Sequence, residues 1–152
     1  TNWLYNACMF SIAKTAIDTQ YLRSQLSDDR AGALVEFEGR VRNHNEGSTV
    51  LTLEYEAAES LAVAEANRIF SEVKEKFAIY DAICVHRQGL LQIGETAVYV
   101  GVISAHRSEA FAACRYIIDE IKHRLPIWKK ETYSDGRSEW VNCQHINHEH
   151  AH

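Results

Sequence analysis

The 152-residue sequence predicts one α+β domain in which antiparallel and mixed β-sheets pack against two long helices. Three observations indicate this class. Several short segments alternate apolar and polar residues with the period of two that is typical of a half-buried strand. Two longer segments repeat apolar residues at helical spacing. Short turn-forming clusters separate most of the predicted strands, which favours hairpin connections.

The N-terminal third of the chain predicts strands around one short helix. A strand is expected at 8–13, and Asp18 suits the N-cap position of a helical segment that follows it. Alternation is clear over Ala33–Arg42 and again over Thr49–Tyr55, on either side of a turn-forming cluster at 43–48. We therefore expect these two segments to pair as an antiparallel hairpin.

The middle of the chain predicts a long helix followed by two strands. Apolar residues recur at helical spacing over Ala57–Phe77. Strands are expected at Ile79–His86 and Thr96–Ser104. The second of these is apolar on both faces, so it should lie at the centre of a sheet and be covered on both sides.

A second long helix and a hairpin are predicted in the C-terminal third. Ser108 can cap this helix, and Pro126 must end it. Two short β-segments then flank Asp135-Gly136, a dipeptide that is typical of hairpin turns. We expect one long helix to pack on each of two β segments. The domain is predicted to span residues 1–141.

The composition excludes several classes of protein. A net charge of −5 argues against a nucleic-acid binder. The sequence has no apolar run of 18 residues and no positively flanked apolar leader, so we expect a soluble protein with no membrane partner. Its four cysteines are scattered without a CxxC pair, which indicates a reducing, cytoplasmic compartment without disulfides or structural zinc.

The C-terminal segment 142–152 carries four of the eight histidines. Its spacing lacks the compact pattern of a zinc site. We therefore predict a flexible tail and no metal site. No cofactor is expected either.

The segment 104–131 is basic although the protein as a whole is acidic. Its six lysines and arginines are Arg107, Arg115, Lys122, Arg124, Lys129 and Lys130. Local positive charge on an acidic protein is typical of a site for an anionic ligand.

The residues alone leave alternatives open within this segment. Lys122 borders a predicted apolar stripe, so it either extends to solvent or lines a pocket where lost hydration lowers its pKa. Lys129 and Lys130 point to opposite faces of a predicted strand, and periodicity cannot decide which of them joins Lys122. His106 and Arg107 precede a predicted helix, where they form either an anion site or an ordinary exposed pair.

Arg40 and Arg42 form a second cationic group. They share a strand face with Glu36 and Glu38, which is typical of a solvated charge ladder. The alternative is a patch in which Arg42 binds a phosphate group through paired hydrogen bonds.

An ordered set of motifs over residues 30–141 resembles the large, catalytic subunit of molybdopterin synthase. The motifs are Phe37-Glu38-Gly39-Arg40-Val41-Arg42-Asn43-His44-Asn45, Leu53-Glu54-Tyr55-Glu56, His86-Arg87-Gln88-Gly89, Gly101-Val102-Ile103-Ser104-Ala105-His106-Arg107, Ala110-Phe111, Ile118-Asp119-Glu120-Ile121-Lys122 and Pro126-Ile127-Trp128-Lys129-Lys130-Glu131, with Gly136 and Trp140 after them. Each motif alone is weak evidence, whereas their order is specific.

The resemblance implies a hammerhead-type fold and a sulfurtransferase. The family forms a homodimer with a small ubiquitin-like sulfur-carrier subunit at each end, which makes a heterotetramer. Its reaction moves two sulfurs from the thiocarboxylated C-terminus of the carrier to cyclic pyranopterin monophosphate, and the product is the dithiolene of molybdopterin. The sulfur arrives on the carrier, so no cysteine of this chain is expected to take part.

The resemblance also implies roles for individual residues. Lys122 and Lys129 match the family's catalytic lysines. The residues that match its substrate-binding positions are Arg40, Val41, Arg42, His106, Arg107, Lys130 and Glu131. Which protomer supplies Arg42 to a given site stays open.

Two other functions are compatible with the composition. A sensor for a phosphorylated metabolite would need the cationic pocket but not Lys122 specifically. A metal-handling protein would depend on the tail from residue 144 onwards. Neither function accounts for the ordered motifs.

Overall fold

The structure, a computed structural model, describes residues 8–146 as nine strands and four helices. The strands are β1 (Met9–Ala13), β2 (Ala33–Arg40), β3 (His44–Asn45), β4 (Ser48–Ala57), β5 (Asp81–Arg87), β6 (Gly89–Gln92), β7 (Thr96–Ser104), β8 (Ile127–Tyr133) and β9 (Ser138–Asn142). The helices are α1 (Thr19–Gln25), α2 (Glu59–Lys76), α3 (Arg107–Arg124) and α4 (Cys143–Ile146). The mixed α+β class is confirmed.

A four-stranded sheet in the order β1-β5-β7-β2 forms the centre of the fold. Strands β1 and β5 run parallel, while β7 pairs antiparallel with both β5 and β2. Every residue of Ala97–Ser104 is buried, which confirms the predicted central strand. Both edges of β7 are hydrogen-bonded and both faces are covered, so its side chains are apolar in both directions.

A second sheet contains β3, β4, β8 and β9 in that order, and β6 also pairs with β4. The predicted hairpin between β2 and β4 is wrong, because β2 pairs with β7 and β4 pairs with β6 and β8. The cluster at 43–48 instead forms a tight hairpin between β3 and β4, turning at Glu46-Gly47 with positive φ at both residues. Alternation determines which face a side chain occupies, but it does not identify the partner strand.

The two 18-residue helices, α2 and α3, both pack on the first sheet. Helix α3 contacts β7 and β2, and α2 contacts β1 and α3. The expectation of one helix on each of two β segments is therefore wrong. Small residues such as Ala62, Ala66 and Ala113 are fully buried, which allows the helices to approach each other and the sheet closely.

The structure extends beyond the sequence-based boundary at residue 141. Asn142 ends β9, and α4 contacts both α3 and β8. The Gln144 Nε2 donates to the Arg124 carbonyl oxygen at 2.7 Å, and Cys143 packs against the main core. The remainder of the predicted flexible tail, 147–152, lies outside the described residues. Within 8–146, no helix is long and apolar enough to cross a membrane.

Arg124 joins the two long helices through three carboxylates. Its guanidinium donates to Glu65 at 2.7 Å, to Glu72 at 2.8 and 3.0 Å, and to Glu120 at 3.1 Å. These hydrogen bonds lower the pKa of Glu72 to about 2, with a further contribution from the Tyr116 hydroxyl. Glu65 and Glu72 belong to α2, so the network fixes α2 against the last turn of α3.

We expect Arg124→Ala to lower the free energy of unfolding by about 2 kcal/mol near neutral pH, since charged hydrogen bonds contribute roughly 1.5–3 kcal/mol. A carboxylate whose folded-state pKa is depressed stabilises the fold above its unfolded pKa, and this contribution is lost as pH falls through the folded value. Wild-type stability should therefore decrease between about pH 5 and about pH 2, and Arg124→Ala should decrease less steeply. Urea unfolding across this range measures both effects.

Arg115→Ala is the matched control on the same helix. Within residues 8–146, Arg115 pairs with Asp119 alone, at 3.2 Å, and the two side chains are 82% and 50% exposed. Such a pair contributes little, so the change should stay within about 0.5 kcal/mol. Equal acid sensitivity in Arg124→Ala and the wild type would contradict the assigned role of the network.

Candidate active site

Lys122 lies where a small inner cavity meets a large surface groove. It follows the buried Ile121 in the last turn of α3, and part of the residue reaches solvent although surrounding protein atoms remove hydration from its ammonium. The inner cavity measures about 50 Å³, whereas the groove measures about 880 Å³, and Lys122 lines both. Its amine can therefore face either space.

Besides Lys122, the side chains that surround the inner cavity come from four strands and two helices. They are Tyr55 of β4, His86 of β5, Val98 of β7, Ile118, Ile121 and Leu125 of α3 and its C-terminus, Ile127 of β8 and Cys143 of α4. A volume of about 50 Å³ is enough for a water molecule. The cavity wall thus combines five aliphatic side chains with polar groups from Tyr55, His86, Lys122 and Cys143.

Protein atoms and neighbouring charges lower the pKa of Lys122. The largest cause is the loss of hydration around its ammonium, followed by the positive charge of Lys129, and Arg42 adds to it. The Cys143 thiol acts in the opposite direction, and its effect on this pKa is larger than that of Arg42. Lys122 consequently carries more neutral amine near neutral pH than an ordinary lysine, which suits proton transfer or nucleophilic chemistry.

The fold brings Lys129, not Lys130, towards Lys122. Lys129 lies directly opposite Tyr55 in the β4–β8 ladder, so the two side chains share the face that carries the inner cavity. Lys130 points to the other face, where its Nζ lies 3.6 Å from Glu54 and 5.1 Å above the Trp140 ring. Pairing of β8 with β4 therefore shows which of the two lysines lies on the side of Lys122, a choice that periodicity alone could not make.

Glu131 is held next to Lys129 by neutral hydrogen-bond donors. Asn45 Nδ2 donates to Glu131 Oε1 at 2.9 Å, and the Tyr133 hydroxyl donates to the same oxygen at 2.6 Å. The Lys129 Nζ lies 3.9 Å from the other carboxylate oxygen. Sequence reasoning did not identify Asn45 and Tyr133, although Tyr133 lies two residues after Glu131 in the strand and thus shares its face.

Arg42 is positioned by the backbone of Val41. The β2 strand is irregular at Gly39/Arg40, and Val41 is buried with its N–H donating to the Glu95 carbonyl and its carbonyl accepting from Gly94. Arg42 follows directly and is exposed, and its charge reaches Lys122 within the same chain. Arg40 instead pairs with Glu38 at 3.4 Å.

His106 and Arg107 lie at the opposite end of α3 from Lys122. His106 is the N-cap and Arg107 the first helical residue, so the predicted cap at Ser108 is wrong. Both side chains are exposed. At 1.5 Å per residue, Arg107 and Lys122 are separated by about 22 Å along the helix. A single chain therefore does not bring these predicted binding residues to the lysines.

The surface groove runs between β2 and α3 from one end of the helix to the other. Its lining includes Val35 and Phe37 from β2 and Ser108, Phe111, Ile118 and Lys122 from α3. The Phe111 side chain is 61% exposed, which is unusual for a large apolar residue. The groove thus offers an apolar path that ends at a cationic group.

Three residues of the inner cavity had no role in the sequence-based prediction: Tyr55, His86 and Cys143. Burial raises the pKa of the Cys143 thiol, and this effect is larger than that of the positive charges of Lys129 and Lys122, which lower it. It is therefore held as a neutral thiol rather than a thiolate. Within residues 8–146, no set of three or more His, Cys, Asp or Glu side chains is arranged to hold a metal ion.

Comparison with known proteins shows what this arrangement is similar to. The family model described as MoaE protein matches residues 12–124. The molybdopterin synthase catalytic subunit of Thermoplasma volcanium is 48% identical over 110 residues, which cover 72% of this chain and 80% of the relative.

Two solved structures share the fold. Molybdopterin synthase from Staphylococcus aureus superimposes with a TM-score of 0.80 at 39% identity, covering 86% of this chain and 95% of the other. A complex of subunits 1 and 2 of molybdopterin-converting factor from Helicobacter pylori matches with a TM-score of 0.71 at 20% identity, covering 90% and 91%. At that identity the second match supports the fold alone. The sequence relationship extends over most of the chain, which therefore belongs to the MoaE family of molybdopterin synthase catalytic subunits.

Proposed function

We propose that this chain catalyses the sulfur-transfer reaction that converts cyclic pyranopterin monophosphate to molybdopterin. Each of the two dithiolene sulfurs comes from the thiocarboxylated C-terminus of a small ubiquitin-like carrier subunit, so two loaded carriers are consumed for each product. The observation that carries the proposal is the meeting of Lys122, Lys129 and Arg42 at the end of an apolar groove. Both reactants are anionic, through a thiocarboxylate and a phosphate, and this cluster offers them three cations.

The two lysines differ in surroundings, so we assign them different tasks. Lys122 has the lowered pKa and lines the end of the groove, where it polarises the thiocarboxylate and transfers protons as sulfur attacks. Lys129 is kept beside Glu131 at 3.9 Å and stabilises negative charge that develops on the pterin. Arg42 lies on the exposed side and binds the phosphate.

The groove suits the C-terminal tail of the carrier. Its length from Ser108 to Lys122 is about 21 Å, which an extended peptide of about six residues spans at 3.3–3.6 Å per residue. Phe37 and Phe111 supply apolar contact along the way, and Lys122 receives the terminal group. The Helicobacter pylori structure that shares this fold is itself a complex of subunits 1 and 2 of molybdopterin-converting factor.

A homodimer would account for His106 and Arg107. They lie about 22 Å from Lys122 along α3, too far to bind the same small substrate within one chain. A second copy related by a two-fold axis can place its own His106 and Arg107 near the Lys122 of the first copy. By symmetry, the His106 and Arg107 of the first copy then lie near the Lys122 of the second. With one carrier on each copy, the assembly is a heterotetramer, and each site combines residues of two protomers.

Mixing two inactive variants tests the shared site. We expect Lys122→Ala and Arg107→Ala each to lose most activity. Because one hybrid site then keeps both native residues, co-refolding equal amounts should restore about a quarter of the wild-type activity. Product formation before and after mixing measures this recovery, with each variant refolded alone as the control. No recovery, in a mixture that native mass spectrometry shows to contain hybrid dimers, would indicate that each chain builds its own site.

The function itself is tested with the purified wild-type chain, a thiocarboxylated carrier and cyclic pyranopterin monophosphate. Dithiolene product, detected after oxidation to its fluorescent derivative, is the expected result. A carrier that ends in an ordinary carboxylate is the control, since it can bind but has no sulfur to give. A chain that binds the thiocarboxylated carrier and forms no product would contradict the proposal.

A further inference from the structure

His86 shares the inner cavity with Lys122 but has no role in the proposed reaction so far. It is the second-last residue of β5 and only 8% exposed. Burial lowers the pKa of His86 to about 4, and the Lys122 charge contributes in the same direction. The imidazole is therefore neutral at physiological pH and adds no further positive charge to the lysine cluster.

The hydrogen bonding of the ring determines its tautomer. The Nδ1 atom lies 2.8 Å from the Arg87 carbonyl oxygen, which can only accept. Nδ1 therefore carries the proton, and Nε2 presents a lone pair. The Tyr55 ring meets the imidazole edge-on, with centroids 4.8 Å apart, and this contact limits rotation of the ring. His86 is thus a fixed acceptor in the cavity wall.

The other groups around the cavity give the Lys122 ammonium few acceptors. The charged and titratable groups that act on Lys122 are Lys129 from β8, Arg42 after β2 and the Cys143 thiol from α4. Tyr55 from β4 lines the inner cavity with it, Glu131 acts on Tyr55 and Cys143, and Glu36 and Asp119 lie on the groove side. Glu131 already accepts from Asn45 and Tyr133 and lies beside Lys129. A neutral imidazole nitrogen is therefore the strongest acceptor that remains for Lys122 on the inner side.

We propose that His86 is a positioning residue for Lys122: its Nε2 accepts a hydrogen bond from the Lys122 ammonium, directly or through one water molecule in the cavity of about 50 Å³. This bond holds the amine at the inner end of the groove instead of leaving it free to swing outwards. The catalytic consequence rests on the proposed function, while the contact between His86 and Lys122 does not.

Two substitutions separate the acceptor from the structural role of the ring. In His86→Asn, the side-chain amide can still donate to the Arg87 carbonyl, but nothing reaches the position of Nε2. In His86→Gln, a polar atom does reach that position. Cys84→Ala is the control, because Cys84 is buried on the same face of the same strand and does not line the cavity.

We expect His86→Asn to reduce kcat by about 10- to 100-fold with little change in KM for the carrier, because misplacement of a reacting group by about 1 Å has such an effect. His86→Gln should recover most of the loss, and Cys84→Ala should lower Tm without this effect on kcat. A hydrogen bond to the charged form raises a pKa, so His86→Asn should also lower the pKa of Lys122 further. NMR titration of the ¹³C-methylated lysine, in the absence of carrier and substrate, measures that shift.

Each outcome has a distinct meaning. A folded His86→Asn variant with wild-type kcat and an unchanged Lys122 pKa overturns the inference. The same holds if His86→Gln and His86→Asn are equally impaired. A third outcome separates the contact from the function. If the wild-type chain makes no product but the Lys122 pKa is lower in His86→Asn than in the wild type, the contact is supported and the proposed function is contradicted.

Discussion

Lys122→Ala should reduce dithiolene formation by about 10²- to 10⁴-fold, the range that a positioned acid or base contributes. Lys122 has a depressed pKa and lies where the groove ends, the position from which it would meet the carrier's terminal group. Lys122→Arg should be almost as inactive, because a guanidinium keeps its proton at any physiological pH and cannot exchange it. Product formation under single-turnover conditions measures both losses.

The lysine-to-arginine variant also separates an enzyme from a sensor. A phosphate-binding module needs positive charge at this position, so Lys122→Arg would preserve its binding. Binding of the pterin monophosphate, measured by calorimetry, should persist in Lys122→Arg even though turnover is lost. Part of Lys122 reaches solvent, so Tm should change little in either variant. Substantial turnover by folded Lys122→Ala would remove Lys122 from the mechanism.

Lys129→Ala should reduce kcat by about 10²-fold or more, since removing one preorganised group that stabilises developing charge typically has this effect. Lys130→Ala is the matched comparison, one residue away in the same strand. Lys130 faces Glu54 and Trp140 on the opposite side. The loss of kcat in Lys130→Ala should therefore be smaller than the loss in Lys129→Ala by a factor of about ten or more. Steady-state kinetics of the two variants at saturating carrier gives the ratio.

Glu131 makes this comparison more informative. Loss of Lys129 leaves the Glu131 carboxylate with the neutral donors Asn45 and Tyr133 alone, so added negative charge remains close to the pterin. The double variant with Glu131→Gln should regain part of the lost activity for that reason. Equal losses in Lys129→Ala and Lys130→Ala would show that general positive charge matters and that the strand face does not.

Much of the fold follows from local pattern. The apolar character of Thr96–Ser104 on both faces predicted a central strand, and the structure buries all of 97–104. Asp18 was identified as a cap, and its carboxylate accepts from the Tyr21 N–H at 3.0 Å. The Asp135-Gly136 step does join paired strands, with Gly136 at positive φ. In each case the decisive physics acts within a few residues.

Strand partners could not be obtained in the same way. The alternating residues of β2 and β4 were recognised, but their pairing with each other was wrong. Partner choice depends on how complete faces are buried and on the irregularity at Gly39/Arg40, after which the Val41 N–H donates to the Glu95 carbonyl immediately before β7. The choice of partner strand depends on residues that are far apart in sequence, so a short stretch of sequence cannot predict it.

By itself, the sequence determined the α+β class, the basic segment on an acidic protein, and the lysines and arginines proposed to act on anionic reactants. Only the tertiary structure decided that Lys129 rather than Lys130 joins Lys122 and that His86, Tyr55 and Cys143 line the cavity with it. It also separated the N-terminus of α3 from Lys122. The physical reason is that hydrogen-bond capacity and periodicity are properties of a residue and its neighbours, whereas burial and the approach of two charges arise only when distant segments pack together.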